Sequence, residues 1–450
     1  MRKAVSGWTA CALLVSLVFL CTACGQSGQE DGSAAADIGS VLQEEAGDPV
    51  ELKIMYFFDL NTPGTHYHDL WEELAAEKGY KLKITPCSTE QIKDKLRTAL
   101  ACNELPDIFV VWGGGYPNFL FDANACLPMQ DYLEASDYKF KDIYVVPYKD
   151  GNNYIIPCLV EAYAVTYCNQ NLMKQMGLEM PQTWEELVEL VEQVNAYNER
   201  HRTNFAAIEL GDKDNWLAEL LYDMIVNRID PYAFDKLQSG EYQFDETPVF
   251  ADAADKLAQL VDMGAFPEDF IDTGEVEAIE NFVHGEAVLF PHQSTIVNYL
   301  IDNMGAEAFT LESFPCCSSE FDPDYAAYMM DINHSLTPGF CISANTEHPE
   351  EAAKLCLEFA ERVNEINVTQ YGYLNMEKNS KLQEPGHLAA PAVQLQEMVS
   401  GAKKQTAFWY ALMEKEEGDD WRRLIKKYLT KAVTKEEFLQ EGRRIFGGGE

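Results

Sequence analysis

Between Glu51 and Gly115 the chain alternates strand-like and helix-like segments at a spacing that leaves few folds open. Glu51–Phe58 (ELKIMYFF) reads as a strand and is followed by a Pro63-Gly64 turn. From His66 to Lys78 the residues Leu70, Trp71, Leu74 and Ala75 recur with helical period, and Gly79 supplies a stop. Lys81–Thr85 predicts a second strand. Ser88 and Gln91 form a capping box for a helix through Ile92, Leu96 and Leu100. Ile108–Trp112 predicts a third strand, closed by Gly113-Gly114-Gly115. Strand–helix alternation at this spacing implies an α/β fold with a mainly parallel sheet. Ligands bind such sheets beyond the carboxyl ends of the strands. The tips Phe57–Asp59 and Trp112–Gly115 are therefore the first places to look for function.

A second unit begins near Tyr154, with a strand-like stretch ending at Thr166-Tyr167. Thr183 and Glu186 make a capping box ahead of a helix whose apolar face is Leu187, Val188, Leu190, Val191 and Val194. Further helices are expected over Leu217–Val226, Ala251–Val261, from His348-Pro349 onward, and over Trp421–Phe446. Ala287–Phe290 reads as a short buried strand. A length of 450 residues suits two domains, and 47% hydrophobic residues leave enough apolar material for two cores.

The N-terminus has the layout of an export signal. Arg2 and Lys3 precede an apolar run from Trp8 to Ala23, which is shorter than the roughly 20 residues a spanning helix needs. Thr22-Ala23-Cys24 resembles a bacterial lipobox, although Cys21 stands where Leu is usual. Residues 1–23 are thus expected to be a cleaved signal peptide, Cys24 the lipidated N-terminus, and 24–49 a flexible tether (GQSGQEDGSAAADIGS lacks any apolar period). Two or more acyl chains give durable membrane anchoring.

The net charge of −40 repels nucleic acid and anionic membrane surfaces, which excludes nucleic-acid binding. Of 12 cysteines, Cys11, Cys21 and Cys24 belong to the export segment. The other nine show no C-x-x-C spacing, so neither a disulfide framework nor a zinc ribbon is expected, and most read as small buried hydrophobes. His66-x-His68 falls on a helix where alternate residues diverge, so no metal site is expected there. G-x-S-x-G, H-E-x-x-H and P-loop patterns are absent, and no cofactor is implied.

Six segments, in order, resemble the extracellular solute-binding proteins of family 1, which include maltodextrin- and oligosaccharide-binding proteins. They are LPDIFVVWGGG (Leu105–Gly115), YIIPCLVEAYAVTYCNQNL (Tyr154–Leu172), MPQTWEELVELVEQV (Met180–Val194), NFVHGEAVLFPHQS (Asn281–Ser294), HPEEAAKLCLEFA (His348–Ala360) and TAFWYALM (Thr406–Met413). The resemblance implies a type II periplasmic-binding-protein-like fold, with two α/β lobes joined by a hinge and a ligand cleft between them. Residues 50–160 plus about 296–343 would form the N-terminal lobe, and about 161–295 plus 344–450 the C-terminal lobe. The implied function is a lipid-anchored, monomeric receptor of an ABC importer that captures a carbohydrate and delivers it to the membrane permease. A binding protein for a peptide or polyamine and a surface glycan-processing enzyme are the competing readings.

A pyranose offers apolar C–H faces to aromatic rings and hydroxyls to carboxylates, amides or guanidinium groups. Trp409 and Tyr410, in AFWYA, resemble a cleft-lining pair, although Trp409 has a helix core as its alternative place. Trp112 stands beside three glycines, where backbone can approach a ligand. Glu161 matches a Val-Glu-Ala glutamate near the hinge. Asp59, Phe57 and Phe58 share the first strand tip. Trp216 and Tyr163 are weaker aromatic candidates. The family often has Gly-x-Trp where this chain reads Pro291-His292-Gln293-Ser294, so His292 or Gln293 would supply hydrogen bonds there instead.

Overall fold

The first three strands pair as the alternation requires. β1 (Glu51–Phe57) runs parallel to β2 (Lys81–Cys87), in register from Glu51 opposite Lys81 to Phe57 opposite Cys87, and parallel to β3 (Ile108–Val111) on its other side. The helices His66–Lys78 and Thr89–Cys102 make the crossovers. These elements belong to a computed structural model that describes residues 49–57, 66–87, 89–158, 162–318, 328–332, 338–372, 375–383 and 386–447, with Pro49–Glu450 forming one unit.

Two further strands complete this sheet. β4 (Ile156–Pro157) lies at its edge. β10 (Gly339–Ile342) enters between β3 and β4, antiparallel to both, giving the order β2-β1-β3-β10-β4. The second sheet has the order β6-β7-β5-β8, from β5 (Ala164–Asn169), β6 (Ala206–Ile208), β7 (Ala287–Gln293) and β8 (Phe309–Glu312). β9 (Tyr328–Asp331) and β11 (Lys404–Ala407) form a separate parallel ribbon.

Packing divides the chain differently from the expected lobe boundaries in two places. β8 pairs with β5, so residues 309–312 belong to the second sheet rather than the first. The helix Pro349–Tyr371 covers the first sheet rather than joining the second: Trp71 stacks on its Phe359 with centroids 4.1 Å apart, and Phe340 of β10 meets both rings. Each of these aromatic rings is fully buried, and truncating one to Ala would cost about 3–5 kcal/mol. That burial fixes the helix against the first sheet.

The second core gathers around the helices Trp184–His201, Leu217–Ile229, Pro248–Asp262, Lys415–Leu429 and Lys435–Phe446. The expected capping box is formed: Glu186 N–H donates to Thr183 Oγ1 at 3.3 Å, and Thr183 N–H donates to Glu186 Oε2 at 3.2 Å. Thr434 and Glu437 repeat the device and break the expected C-terminal helix in two. All nine described cysteines are free thiols, and only Cys102 is exposed.

Candidate functional site

The first turn of the helix Leu217–Ile229 ties two clusters of polar and aromatic side chains together. Trp216 is its N-cap. Trp216 Nε1 donates to Glu275 Oε2 at 3.2 Å, and Gln293 Nε2 donates to Glu275 Oε1 at 3.4 Å. His292 Nε2 lies 3.4 Å from that same Oε1, and the His292 ring meets Trp216 edge-on with centroids 5.3 Å apart. Glu275 opens its own helix, Glu275–Val283, and its backbone N–H donates to Asp214 Oδ2 at 3.0 Å. These residues sit at the carboxyl end of β7 and at two helix starts. One carboxylate thus accepts from a part-exposed indole and an amide, beside a buried imidazole whose two nitrogens make no hydrogen bond.

One turn further along, Glu219 is fully buried and accepts from Arg422 Nε at 2.6 Å. The Arg422 guanidinium carbon stands 3.4 Å from the ring centroid of Tyr410, a stacking cation–π contact. Asp223, another turn on, accepts from the Trp409 N–H at 3.1 Å through Oδ2. Burial pushes both the Glu219 and Asp223 carboxyls above the ordinary carboxylate range, and Arg422 pulls against that shift.

The first sheet brings its own aromatic and charged side chains up to Tyr410. Trp112, at the tip of β3, packs edge-on against Tyr116 with centroids 5.9 Å apart. Lys93, only 8% exposed, holds its ammonium 5.7 Å from the Trp112 ring and 5.2 Å from the Tyr410 ring. One cation therefore lies over an aromatic ring from each side. Beside it the two segments touch. A β-carbon on Gly115 would sit 2.5 Å from Met413 O and 2.9 Å from Glu414 Cα. This glycine is needed for close approach, and its φ is not positive. Asn118 Nδ2 donates to both Glu414 oxygens at 3.0 and 3.1 Å, and Arg97 Nη2 donates to Glu416 Oε1 at 2.6 Å.

Five of the residues singled out from sequence fall in these two clusters: Trp112 and Tyr410 in one, and Trp216, His292 and Gln293 in the other. Trp409 does not join them. It is 3% exposed and stacks between Phe234 (4.8 Å) and Trp421 (5.8 Å) in the second core. Trp409 faces the core while Tyr410 faces Lys93 and Arg422, because successive residues of the turn Trp409–Leu412 point to different sides. Tyr163 is 1% exposed. Its hydroxyl accepts from Gln405 Nε2 at 3.0 Å, and its N–H donates to Ser294 Oγ at 3.0 Å, so it knits β5 to the start of the segment after β7 and to β11. Phe57 ends β1. Phe58, Asp59, Glu161 and Cys24 lie outside the described residues.

Lys93, Glu219, Glu275 and Arg422 were not singled out from sequence. Lys93 and Arg422 look like ordinary solvent-facing helix cations, and only tertiary packing turns them inward. Glu275, in DTGEVEAIENF, carries one usable signal: an acidic residue just after a Gly at a helix start. Among the described residues no group of three or more His, Cys, Asp or Glu is placed to hold a metal ion, and no helix is long and apolar enough to cross a membrane.

Residues 69–394 match the family model described as bacterial extracellular solute-binding protein, and the chain belongs to that family. An arabinooligosaccharide-binding protein of Halalkalibacterium halodurans is 32% identical over 128 residues, which are 28% of this chain and 28% of that relative. The matched stretch is thus little more than a quarter of the curated relative. A structure from work on xylan utilisation by the thermophilic bacterium Caldanaerobius polysaccharolyticus superposes with a TM-score of 0.75 at 22% identity, covering 88% of this chain and 99% of the other. A chitin oligosaccharide binding protein gives a TM-score of 0.74 at 19% identity, with 89% and 99% covered. At those identities the likeness is one of fold. The mixed α/β fold is that of solute-binding proteins, and the family's place is outside the cytoplasm.

Proposed function

We propose that this protein captures an oligosaccharide between its two sheets and delivers it to the permease of an ABC importer, held at the membrane by a lipid on Cys24. One observation carries the substrate class. Three aromatic rings, Trp112, Tyr410 and Trp216, stand part-exposed, and each is in contact with a fixed charged group: Lys93 for the first, Lys93 and Arg422 for the second, Glu275 for the third. Stacking faces beside oriented donors and acceptors fit the two chemistries of a pyranose. A free amino acid or a metal ion needs oriented polar groups but not several stacking faces. Trp112 and Tyr410 would grip one sugar unit from opposite walls. Trp216, with Glu275, Gln293 and His292, would hold another through stacking and its hydroxyls. The sugar-binding names carried by relatives support the same class.

The protein binds its ligand and leaves it chemically unchanged in this reading. A thermal-shift screen of the full chain against arabino-, xylo-, chito-, malto- and galacto-oligosaccharides, with peptides and polyamines alongside, tests it. A ligand that binds the native state raises the melting midpoint by mass action. A rise with one glycan class, and recovery of that glycan intact, is the expected result. Cleavage of the glycan would replace the receptor with an enzyme, and a rise with peptides or polyamines alone would replace the substrate class.

A further inference from the structure

The cluster around Trp216 carries more negative charge than its surroundings balance. Two carboxylates face the start of the helix Glu275–Val283. Asp214 Oδ2 accepts from the Glu275 backbone N–H, and the Glu275 side chain accepts from Trp216 Nε1 and Gln293 Nε2. Both of those side-chain donors are neutral. A helix start offers only about half an elementary positive charge, so two carboxylates there leave an excess of negative charge. Water does not disperse it freely, because the Glu275 side chain is only 16% accessible. Among the described residues no lysine or arginine forms an ion pair with either carboxylate, and the one titratable base within 4 Å of Glu275 is His292.

His292 supplies a second, independent observation. It is fully buried, its Nε2 reaches to 3.4 Å of Glu275 Oε1, and neither ring nitrogen makes a hydrogen bond. A neutral imidazole keeps one nitrogen as an acceptor. A donor group arriving at Glu275 therefore meets further acceptor capacity beside it. The part-exposed Trp216 ring adds an aromatic face, which attracts cations through its quadrupole. No group of three or more His, Cys, Asp or Glu stands here to hold a metal ion, among the described residues. A compact cation with several N–H donors on an organic ring fits instead.

We infer that the sugar unit held at Trp216 is an amino sugar, whose protonated primary amine donates to Glu275 while the apolar face of its ring lies on the indole. The inference rests on the Trp216 cluster being part of the glycan site. An ammonium group brings three donors and the positive charge that the carboxylates lack. A hydroxyl brings a donor without charge, and N-acetylation removes the charge. The net charge of −40 draws such a cation toward the protein from a distance.

The test compares sugars that differ at one position. Glucose-based β-1,4 oligosaccharides bearing a hydroxyl, an acetamido group or a free amine at C2 are titrated into the full chain by calorimetry. Glucosamine and galactosamine, each beside its parent hexose and its N-acetyl form, and spermidine are titrated alongside. The amine-bearing sugars should bind about tenfold or more tightly than their neutral counterparts. That advantage should shrink between low salt and about 0.5 M salt. Glu275→Gln should bring the amine-bearing sugars down to the level of the neutral ones. Trp216→Leu, which keeps the carboxylate and removes the stacking face, should weaken the same sugars and serves if Glu275→Gln does not fold. Neutral glycans that bind as tightly as the amine-bearing ones would overturn this inference and leave the oligosaccharide reading standing. Silence from every amine-bearing sugar, or an amine preference that survives both variants, would also overturn it. Binding of spermidine with no glycan would overturn both readings together.

Discussion

Gly418 lies against one edge of the Tyr410 ring: a β-carbon there would sit 2.6 Å from Cδ2 and 2.7 Å from Cε2 of the ring. Gly418 is the fourth residue of the helix Lys415–Leu429 and is buried. In a helix, Gly→Ala ordinarily stabilises by about 0.5–1 kcal/mol. Here the added methyl must push Tyr410 off its place between Lys93 and Arg422. Gly418→Ala is expected to keep the melting temperature within a few degrees while weakening glycan binding by roughly tenfold, measured by calorimetry. Unchanged affinity would remove Tyr410 from the ligand's path.

Neighbouring aromatic residues should separate stability from binding. Trp409→Ala opens a hole between Phe234 and Trp421 and should destabilise by about 3–5 kcal/mol in denaturant titrations. Tyr410→Ala and Trp112→Ala should leave stability nearly intact and weaken binding by about 30-fold each, as buried aromatic anchors do. If Trp409→Phe, which retains most of the packing, lost binding as severely as Tyr410→Ala, the placement of Trp409 in the core alone would be wrong.

Arg422 serves the buried Glu219 and the ring of Tyr410 together. Arg422→Met leaves Glu219 buried without its partner, and breaking such a pair costs about 3–5 kcal/mol. Arg422→Lys keeps a positive charge but has no planar face for stacking. It should hold most of the stability and still bind glycan several-fold more weakly. Equal losses of stability in both variants would show that the planar group, not the charge, keeps Glu219 in place.

Stability should fall as pH rises. Burial pushes Glu209 up to about 8 and Asp212 up to about 6. A carboxyl whose folded pKa lies above its unfolded value binds more protons when folded, so its contribution is complete below the ordinary carboxylate range and is lost as pH rises through the folded value. The melting temperature is thus expected to decline between pH 5 and about 8. Glu209→Gln, neutral at every pH, should flatten the upper part of that decline. The same slope in the variant would assign the effect to other groups.

At Glu275 the expected loss is one of binding. Glu275→Gln keeps the shape but removes the charge that accepts from Trp216 and Gln293. In the proposed function Glu275 also accepts from a sugar hydroxyl, and a charge-assisted hydrogen bond of that kind contributes about 1.5–3 kcal/mol, so affinity measured by calorimetry should drop by roughly 10- to 100-fold.

Local pattern makes the α/β units, the Thr183 capping box and the tip at Trp112 legible from the amino-acid order alone. Those features are written in stretches of ten or so residues. What pattern does not supply is pairing across long separations. β10 inserts between β3 and β4 from nearly two hundred residues beyond β4, and the helix Pro349–Tyr371 is placed by Trp71 and Phe340 rather than by its own period. The same limit applies to the site. AFWYA marks a turn at the edge of the second core, but which of Trp409 and Tyr410 faces that core depends on Phe234 and Trp421 arriving from elsewhere. Lys93 and Arg422 give no sign at all, because a helix cation turned inward has the same sequence context as one turned out.

The insertion of β10 also sets an order of assembly. A chain exported from its N-terminus presents β1 to β4 first, yet their sheet lacks its fourth member until Ile342 has emerged. The strands β5 to β8 are complete by Glu312. The second sheet can therefore close while the first still waits with β3 and β4 unjoined. The apolar strands β1 and β3 spend that interval without β10 and without the helix Pro349–Tyr371, while the second core waits longer still for Lys415–Leu429 and Lys435–Phe446.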